Sequence, residues 1–166
     1  MKKTVLVLLA VVMLGVLVAG CAPKEKAVEL GPALLTVSGK IGSPNSGDKY
    51  VVDQAFFDSK SVELKMDDPW MGDGLAYKGI LIRDLLTAMK VPADATTIRV
   101  IATDGKGIDI AIADAQKWDI MLVHWADGTE LATDAGGPVK IAFPADARAT
   151  YPDDQWMWWL TTAEVK

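Results

Sequence analysis

Sulfur and imidazole are scarce in this chain of 166 residues, which contains one cysteine and one histidine. Cys21 alone can form no internal disulfide, and it cannot supply the several ligands of a structural zinc site. His124 lacks the nucleophile elbow of a serine hydrolase, because the chain contains no Gly-x-Ser-x-Gly segment. Since His124 alternates with Ile120 and Leu122, we expect a partly buried histidine whose hydrogen bonds are satisfied.

Positive charge is also in short supply. The chain has 17 Lys+Arg against 22 Asp+Glu, a formal net charge of −5 at pH 7. Its three arginines are Arg83, Arg99 and Arg148. No stripe of basic residues interrupts this acidic character, which argues against nucleic acid as a partner. Few arginines also leave few bidentate donors for an anionic ligand.

Long apolar runs are absent apart from one at the N-terminus, where Lys2 and Lys3 precede an uncharged stretch from Val5 to Ala19. This stretch is shorter than the roughly 20 residues that cross a bilayer. A basic start, an apolar middle and small residues at the end predict a secretory signal peptide. The Val-Ala-Gly-Cys ending resembles a bacterial lipobox, which implies that Cys21 becomes a lipidated N-terminus.

This interpretation divides the chain into a signal peptide at 1–20, a lipidated cysteine and tether at 21–33, and a domain at 34–166. Loss of the leader takes Lys+Arg from 17 to 15 against 22 Asp+Glu, a net charge of −7. We expect the protein in the bacterial cell envelope, on the extracytoplasmic side of a membrane, held there by its lipid. Ordinary cleavage with release into the medium is the alternative.

The periodicity of the mature chain predicts an α+β domain that is rich in mixed sheet and has few short helices. Asp53 is expected to cap a short helix through Phe57, and a second helix should run from Ile82 to Met89. An acidic loop is expected from Asp67 to Gly74. The predicted strands cover 35–39, 62–66, 98–102, 108–112, 118–125, 139–143 and 160–165, with a hairpin turn at 104–107.

Five short segments then occur in a distinctive order. They are YKGILIRDLL at 77–86, ATDG at 102–105, DG at 127–128, GGPVKI at 136–141, and a tryptophan at 156 before the last strand. Their order and spacing, over roughly residues 34–165, resemble the sulfite-oxidase-like molybdopterin-binding domain. The resemblance implies that fold. It also implies oxidoreductase chemistry at a molybdenum held by a pterin dithiolene and by one protein cysteine.

The chain departs from this family pattern at the metal ligand. The cysteine of catalytic members follows the strand that corresponds here to 62–66, where this chain has Asp67, Asp68, Pro69 and Trp70. A carboxylate is a hard ligand, unlike the soft thiolate that suits molybdenum. We therefore expect that molybdopterin can be a cofactor, but that the usual cysteine-ligated molybdenum and sulfite oxidation are absent. Whether the chain is an enzyme stays open.

The candidate cofactor-binding residues come from this loop, from the hairpin turn and from the C-terminal arginine. They are Asp67, Asp68, Trp70, Asp104, Gly105, Lys106 and Arg148. The leading hypothesis is a protein that binds a pterin-type cofactor or other small ligand. The alternatives are an active molybdenum oxidoreductase with Asp67 or Asp68 as a nonstandard ligand, and a non-catalytic adaptor or solute-binding lipoprotein. A redox partner is possible, and the sequence does not identify one.

Two further groups of residues have a structural interpretation beside the functional one. Lys78 and Lys140 flank the matching segments and could bind an anion, but lysines in such places are usually solvated. Trp156, Trp158 and Trp159 could form a stacking platform for a planar ring, although packing in the core is the favoured interpretation. Trp70 is expected to line a pocket.

Overall fold

The structure, a computed structural model, describes residues 29–166. The predicted signal peptide, Cys21 and most of the tether lie outside the described residues. The strands are β1 (Ala33–Gly39), β2 (Tyr50–Asp53), β3 (Val62–Asp68), β4 (Gly72–Leu81), β5 (Thr97–Ala102), β6 (Gly107–Ala111), β7 (Met121–Ala126), β8 (Thr129–Glu130), β9 (Lys140–Ala142) and β10 (Leu160–Val165). The helices are α1 (Gln54–Lys60), α2 (Ile82–Ala88) and α3 (Ile112–Lys117).

The strands form two sheets of five. The first has the order β2-β1-β10-β5-β6, in which β1 and β10 are parallel and the other pairs antiparallel. The second has the order β3-β4-β7-β8, and β9 also pairs with β7. Every pair in the second sheet is antiparallel. The predicted α+β class, with mixed sheet and short helices, is confirmed.

The start of helix α1 shows how one aspartate organises the chain locally. Asp53 ends β2, and its Oδ1 accepts a hydrogen bond from the Phe56 backbone N–H at 2.9 Å, as an N-cap should. Its Oδ2 accepts from the Gly31 N–H at 2.8 Å, which fixes the segment before β1. The predicted cap is therefore confirmed. The buried stripe of α2, formed by Ile82, Leu85 and Leu86, also matches the prediction.

The core lies around β7, whose first five residues are all buried. His124 belongs to this strand and is buried. Its Nδ1 lies 2.6 Å from the Pro138 carbonyl oxygen and its Nε2 lies 2.9 Å from the Gln54 side-chain oxygen. A carbonyl can only accept, so Nδ1 donates to Pro138. On a neutral ring Nε2 then accepts, and the Gln54 amide satisfies it by turning its NH2 group, rather than its oxygen, towards the ring. His124 is the satisfied core histidine that its alternation with aliphatic residues predicts.

The structure differs from the predictions in several places, and the short strands β2 and β8 were not predicted. Helix α3 was not predicted, because its six residues are too few to show a helical period and follow an alternating strand. The strand predicted from 118 begins only at Met121. Strands β3 and β4 extend into the predicted acidic loop, so Asp67 and Asp68 are the last residues of a strand. Within residues 29–166, the helices are too short to span a bilayer.

Candidate functional site

Asp68, at the end of β3, is buried and surrounded by donors, although the sequence predicted a loop there. Its Oδ2 accepts hydrogen bonds from the Tyr77 hydroxyl at 2.6 Å and from Lys140 Nζ at 2.5 Å. Its Oδ1 accepts from the backbone N–H groups of Trp70 at 2.8 Å and Met71 at 3.0 Å. These four bonds match the roughly four acceptor sites of a carboxylate, so little capacity is left for another ligand.

Lys140, in β9, is fully buried, and the prediction that it is solvated was wrong. Besides Asp68, its Nζ contacts the Tyr77 oxygen at 3.2 Å and Met71 Sδ at 3.3 Å. The same ammonium lies 4.9 Å from the ring centroid of Trp158 and 5.7 Å from that of Trp156. Aromatic faces attract cations at such distances. We call Asp68, Tyr77 and Lys140 the buried polar cluster.

The protonation states of the buried polar cluster follow from its contacts. Burial alone would raise the pKa of Asp68, but the hydrogen bonds from Lys140, Tyr77 and the Trp70 N–H outweigh it and lower that pKa. Burial lowers the pKa of Lys140, and the Asp68 charge opposes this shift. Burial and the neighbouring carboxylate raise the pKa of Tyr77. The contact between Lys140 Nζ and Asp68 Oδ2 has the geometry of an ion pair, and Tyr77 donates its hydroxyl hydrogen to the same carboxylate oxygen.

An open cleft of about 320 Å³ lies beside the buried polar cluster. We call it the tryptophan cleft, and its lining residues are Trp70, Ala102, Asp104, Lys106, Asp153, Asp154, Trp156, Met157, Trp158 and Trp159. Trp156 and Trp158 belong to the lining and also contact the Lys140 ammonium. The cleft and the buried polar cluster therefore share a wall made of two indole rings.

Specific backbone contacts hold the tryptophans in this cleft. Trp70 Nε1 donates to the Asp153 carbonyl at 3.4 Å, which joins the β3–β4 turn to the C-terminal segment. Trp159 has φ near +56°, a left-handed conformation that is unusual for a bulky residue. Its backbone N–H donates to Gly136 at 2.9 Å and its Nε1 donates to Thr133 at 2.6 Å. These bonds fix an indole ring that remains 40% exposed.

Gly136 makes room for the adjacent ring. It has φ near +89°, and a Cβ at this position would lie 2.8 Å from the Trp158 ring. A side chain here would be strained and would also displace the indole. The Gly-Gly-Pro segment that forms part of the family resemblance therefore packs against the wall of the cleft.

The structure brings three of the candidate residues into the tryptophan cleft. Trp70, Asp104 and Lys106 all line it, and Gly105 lies between the last two in the β5–β6 turn. Asp104 accepts from the Lys106 N–H at 3.0 Å, and its Oδ2 lies 3.4 Å from Lys106 Nζ. Asp68 touches this site through the Trp70 N–H but does not line it.

Asp67 and Arg148, the other two candidates, do not line the cleft. The Asp67 carboxylate accepts from the Gly74 N–H at 2.8 Å, and its carbonyl accepts from the Arg148 guanidinium. The guanidinium carbon lies 5.3 Å from the centroid of the Trp156 ring. Arg148 therefore links the end of β3 to the Trp156 ring. It is not among the residues that line the cleft, so we do not expect it to bind a ligand there.

The residues of this site do not fit a molybdenum held by the protein. Within residues 29–166 there is no cysteine, and no three His, Cys, Asp or Glu side chains are grouped so as to hold a metal ion. Asp68 already accepts four hydrogen bonds, one of them from a cation. The cleft carries three carboxylates, Asp104, Asp153 and Asp154, against the single ammonium of Lys106. An anionic pterin pyrophosphate does not fit this charge.

Sequence reasoning missed Tyr77 and Lys140 as site residues and favoured core packing for the tryptophans. Trp156 is buried, but Trp159 is exposed and all three C-terminal candidates line the cleft. The predicted pocket position of Trp70 agrees with its place in the lining. A signal for Lys140 was present, because it lies in an apolar run between Val139 and Ile141, where a solvated lysine is out of place.

Comparison with known proteins supports the family resemblance. Residues 54–164 match the family model described as the oxidoreductase molybdopterin binding domain. No curated protein matches the chain. The crystal structure of the sulfane dehydrogenase SoxCD from Paracoccus pantotrophus is similar, with a TM-score of 0.61 and 15% sequence identity over 84% of this chain and 40% of that chain. The chain thus spans less than half the length of this relative, and at this identity the likeness concerns the fold. By its match over residues 54–164, the chain belongs to the oxidoreductase molybdopterin-binding domain family.

Proposed function

We propose that this protein is a ligand-binding member of the family, which takes a small molecule with a flat face in the tryptophan cleft and holds no molybdenum through its own side chains. A pterin-type ring is one ligand of this shape. The main support for this proposal is the ion pair between Asp68 and Lys140. Asp68 lies in the segment where the resemblance places the metal-ligating cysteine, and its carboxylate is already bound to Lys140. A strand end that binds an internal ammonium is not available to bind a metal.

The lining residues have separate tasks in this proposal. The rings of Trp70 and Trp159 stack on the ligand, since aromatic faces bind planar groups and exclude water from them. The carboxylates of Asp104 and Asp153 accept hydrogen bonds from N–H groups at the edge of the ligand, which fixes its orientation. The buried polar cluster keeps the β3–β4 turn, and therefore Trp70, in position.

Molybdenum ligation by Asp68 is the competing hypothesis, and the contacts of Asp68 disfavour it. The carboxylate would have to leave Lys140, and a buried ammonium without its partner is strongly unfavourable. Asp67 is more accessible, but its side chain closes the hairpin through Gly74 and does not face the tryptophan cleft.

The test uses the full chain, produced in a bacterium that makes molybdopterin and purified with detergent. We expect molybdenum well below one atom per chain by elemental analysis, and quenching of tryptophan fluorescence when a soluble pterin such as neopterin is added. Trp70→Ala should weaken this binding at least tenfold without changing the unfolding midpoint, because the side chain is 62% exposed. Stoichiometric molybdenum that is lost in Asp68→Asn would refute the proposal.

We propose in addition that the predicted leader places this domain outside the cytoplasm on a lipid anchor at Cys21. The proposal rests on the lipobox-like ending of the leader. Cells grown with labelled palmitate should yield a labelled protein in the membrane fraction. Cys21→Ser should abolish the label and release or mislocate the protein, whereas label retained in this variant would contradict the anchor.

A further inference from the structure

The exposed aromatic surface of the domain is concentrated at one place. Within residues 29–166, the large hydrophobic side chains that remain exposed are Trp70 and Trp159, and both line the tryptophan cleft. These two residues lie in turns that are far apart in sequence. The fold, and not their positions along one strand, brings them to the same cleft. Exposed apolar groups that converge in a concave site are typical of ligand binding.

The charge of the cleft selects the kind of ligand. Lys106 is the one basic residue in the lining, and its Nζ lies 3.4 Å from Asp104, which it partly neutralises. For Asp153 and Asp154, the described part of the chain contains no lysine or arginine nitrogen within 4.0 Å. Two uncompensated carboxylates beside indole rings disfavour an anion and favour a cation.

The indole rings in the wall of the cleft already contact cations inside the protein. The Lys140 ammonium lies 5.7 Å from the ring centroid of Trp156 and 4.9 Å from that of Trp158. The Arg148 guanidinium carbon lies 5.3 Å from the Trp156 centroid. Indole faces attract cations at such distances, which suits the positively charged ligand that the carboxylates favour.

We propose that the tryptophan cleft binds a small organic cation, with an alkylated ammonium group against the indole rings and its charge balanced by Asp153 and Asp154. This inference rests on the proposed function, because it uses the same cleft, but it replaces the flat ring with an alkylated ammonium that meets the indole faces and the carboxylates through its charge. Quaternary and methylated ammonium groups suit aromatic cages because their charge is spread over a large, weakly hydrated surface. The volume of about 320 Å³ is at the small end of ligand sites, of roughly 300–1,000 Å³, and accommodates such a group with a short substituent.

The experiment compares choline with its neutral isostere 3,3-dimethylbutan-1-ol, by calorimetry and tryptophan fluorescence on the purified full chain. We expect choline to bind at least tenfold more tightly than the isostere, and added salt to weaken choline alone. The double variant Asp153→Asn/Asp154→Asn should lose at least tenfold in choline affinity and keep its affinity for the isostere. Asp48→Asn, an exposed aspartate outside the cleft, is the matched control and should bind both probes as the parent does.

The outcomes separate the two proposals. Equal binding of choline and the isostere, or tighter binding of neutral neopterin than of choline, would overturn the organic cation and leave a Trp70-dependent ligand site in place. Failure of choline, isostere and neopterin alike to bind would overturn both. Choline affinity that survives the double variant would also overturn the inference, because the carboxylates would then have no part in recognition.

Discussion

Two hairpin turns border the tryptophan cleft, and each has an aspartate at or beside a strand end. In the β3–β4 hairpin, Asp68 turns inward, loses all contact with water and pairs with Lys140. In the β5–β6 hairpin, Asp104 stays about half exposed and pairs with Lys106, only two residues away. The same residue type therefore acts as a structural anchor in one turn and as part of a solvated rim in the other.

The difference arises from the partner and from its distance along the chain. Lys106 is local, so the Asp104 contact forms within the turn and needs no other part of the fold. Lys140 lies 72 residues after Asp68 and reaches it only when β9 has joined the second sheet. A distant buried partner makes an aspartate essential to the fold, whereas a local exposed partner leaves it free to meet a ligand.

The largest difference between the two turns should appear when each aspartate loses its charge. Asp68→Asn should lower the free energy of unfolding by about 3–5 kcal/mol, because Lys140 is left buried without a counter-charge. Asp104→Asn is the matched control and should unfold as the parent does. Urea titrations followed by tryptophan fluorescence measure both, and similar losses in the two variants would contradict the assignment of roles.

Removing both charges of the buried pair should recover part of that loss. In Asp68→Asn/Lys140→Met, the asparagine Oδ1 still accepts the two N–H groups of the turn and its Nδ2 can donate to the Tyr77 oxygen. The methionine fills much of the space of the lysine stem. We expect this double variant to be about 2 kcal/mol more stable than Asp68→Asn, although Lys140→Met alone should destabilise the parent, so the two single losses should not add. The same urea titrations test it, and strict additivity of the two single variants would show that the pair is not coupled.

Acid should affect the two turns differently. The pKa of Asp68 is lowered in the fold, so its contribution to stability is complete above about pH 4, the ordinary aspartate value, and is lost as the pH falls through the folded value. The parent should therefore lose up to about 1.4 kcal/mol per pH unit from this group in that window. Unfolding midpoints between pH 2 and pH 5 should fall less steeply in Asp68→Asn/Lys140→Met. Asp104→Asn should keep most of the parent slope.

The smallest effect is expected at the tip of the exposed hairpin. Gly105 has φ near +83°, and no atom lies within 4 Å of the position of an added Cβ. Gly105→Ala should therefore destabilise by about 1 kcal/mol through backbone strain alone. Gly105→Asn should lose less, since asparagine tolerates this conformation better. A loss in thermal midpoint that is larger for Asn than for Ala would show that space, not backbone conformation, limits this turn.

Much of the fold could be predicted from the sequence because its signals are local. The cap at Asp53, the apolar stripe of α2 and the β5–β6 hairpin each depend on residues within one element. Helix α3 was missed because six residues show no clear period. Periodicity predicts individual strands and helices but not how they are arranged in space. The arrangement was predicted from the order of the five segments that resemble the family.

The site was only partly predictable because its decisive contacts are long-range. Trp70, Asp104 and Lys106 were named from turns and do line one cleft. The buried position of the Asp68 side chain could not be predicted from the sequence, because it depends on contacts with Tyr77 across the hairpin and with Lys140 in β9. A lysine inside the apolar segment before Ala142 was the one local sign that a buried acid must exist elsewhere in the chain.

The position of β10 has a consequence for the order in which the molecule can be assembled. This strand is the last element of the described chain, yet it lies inside the first sheet, between β1 and β5. Until it has been synthesised, β1–β2 and β5–β6 are separate ribbons, and two-stranded ribbons are marginally stable in water. Completion of the first sheet therefore waits for the last strand of the domain, and the two ribbons remain apart until that strand has been made.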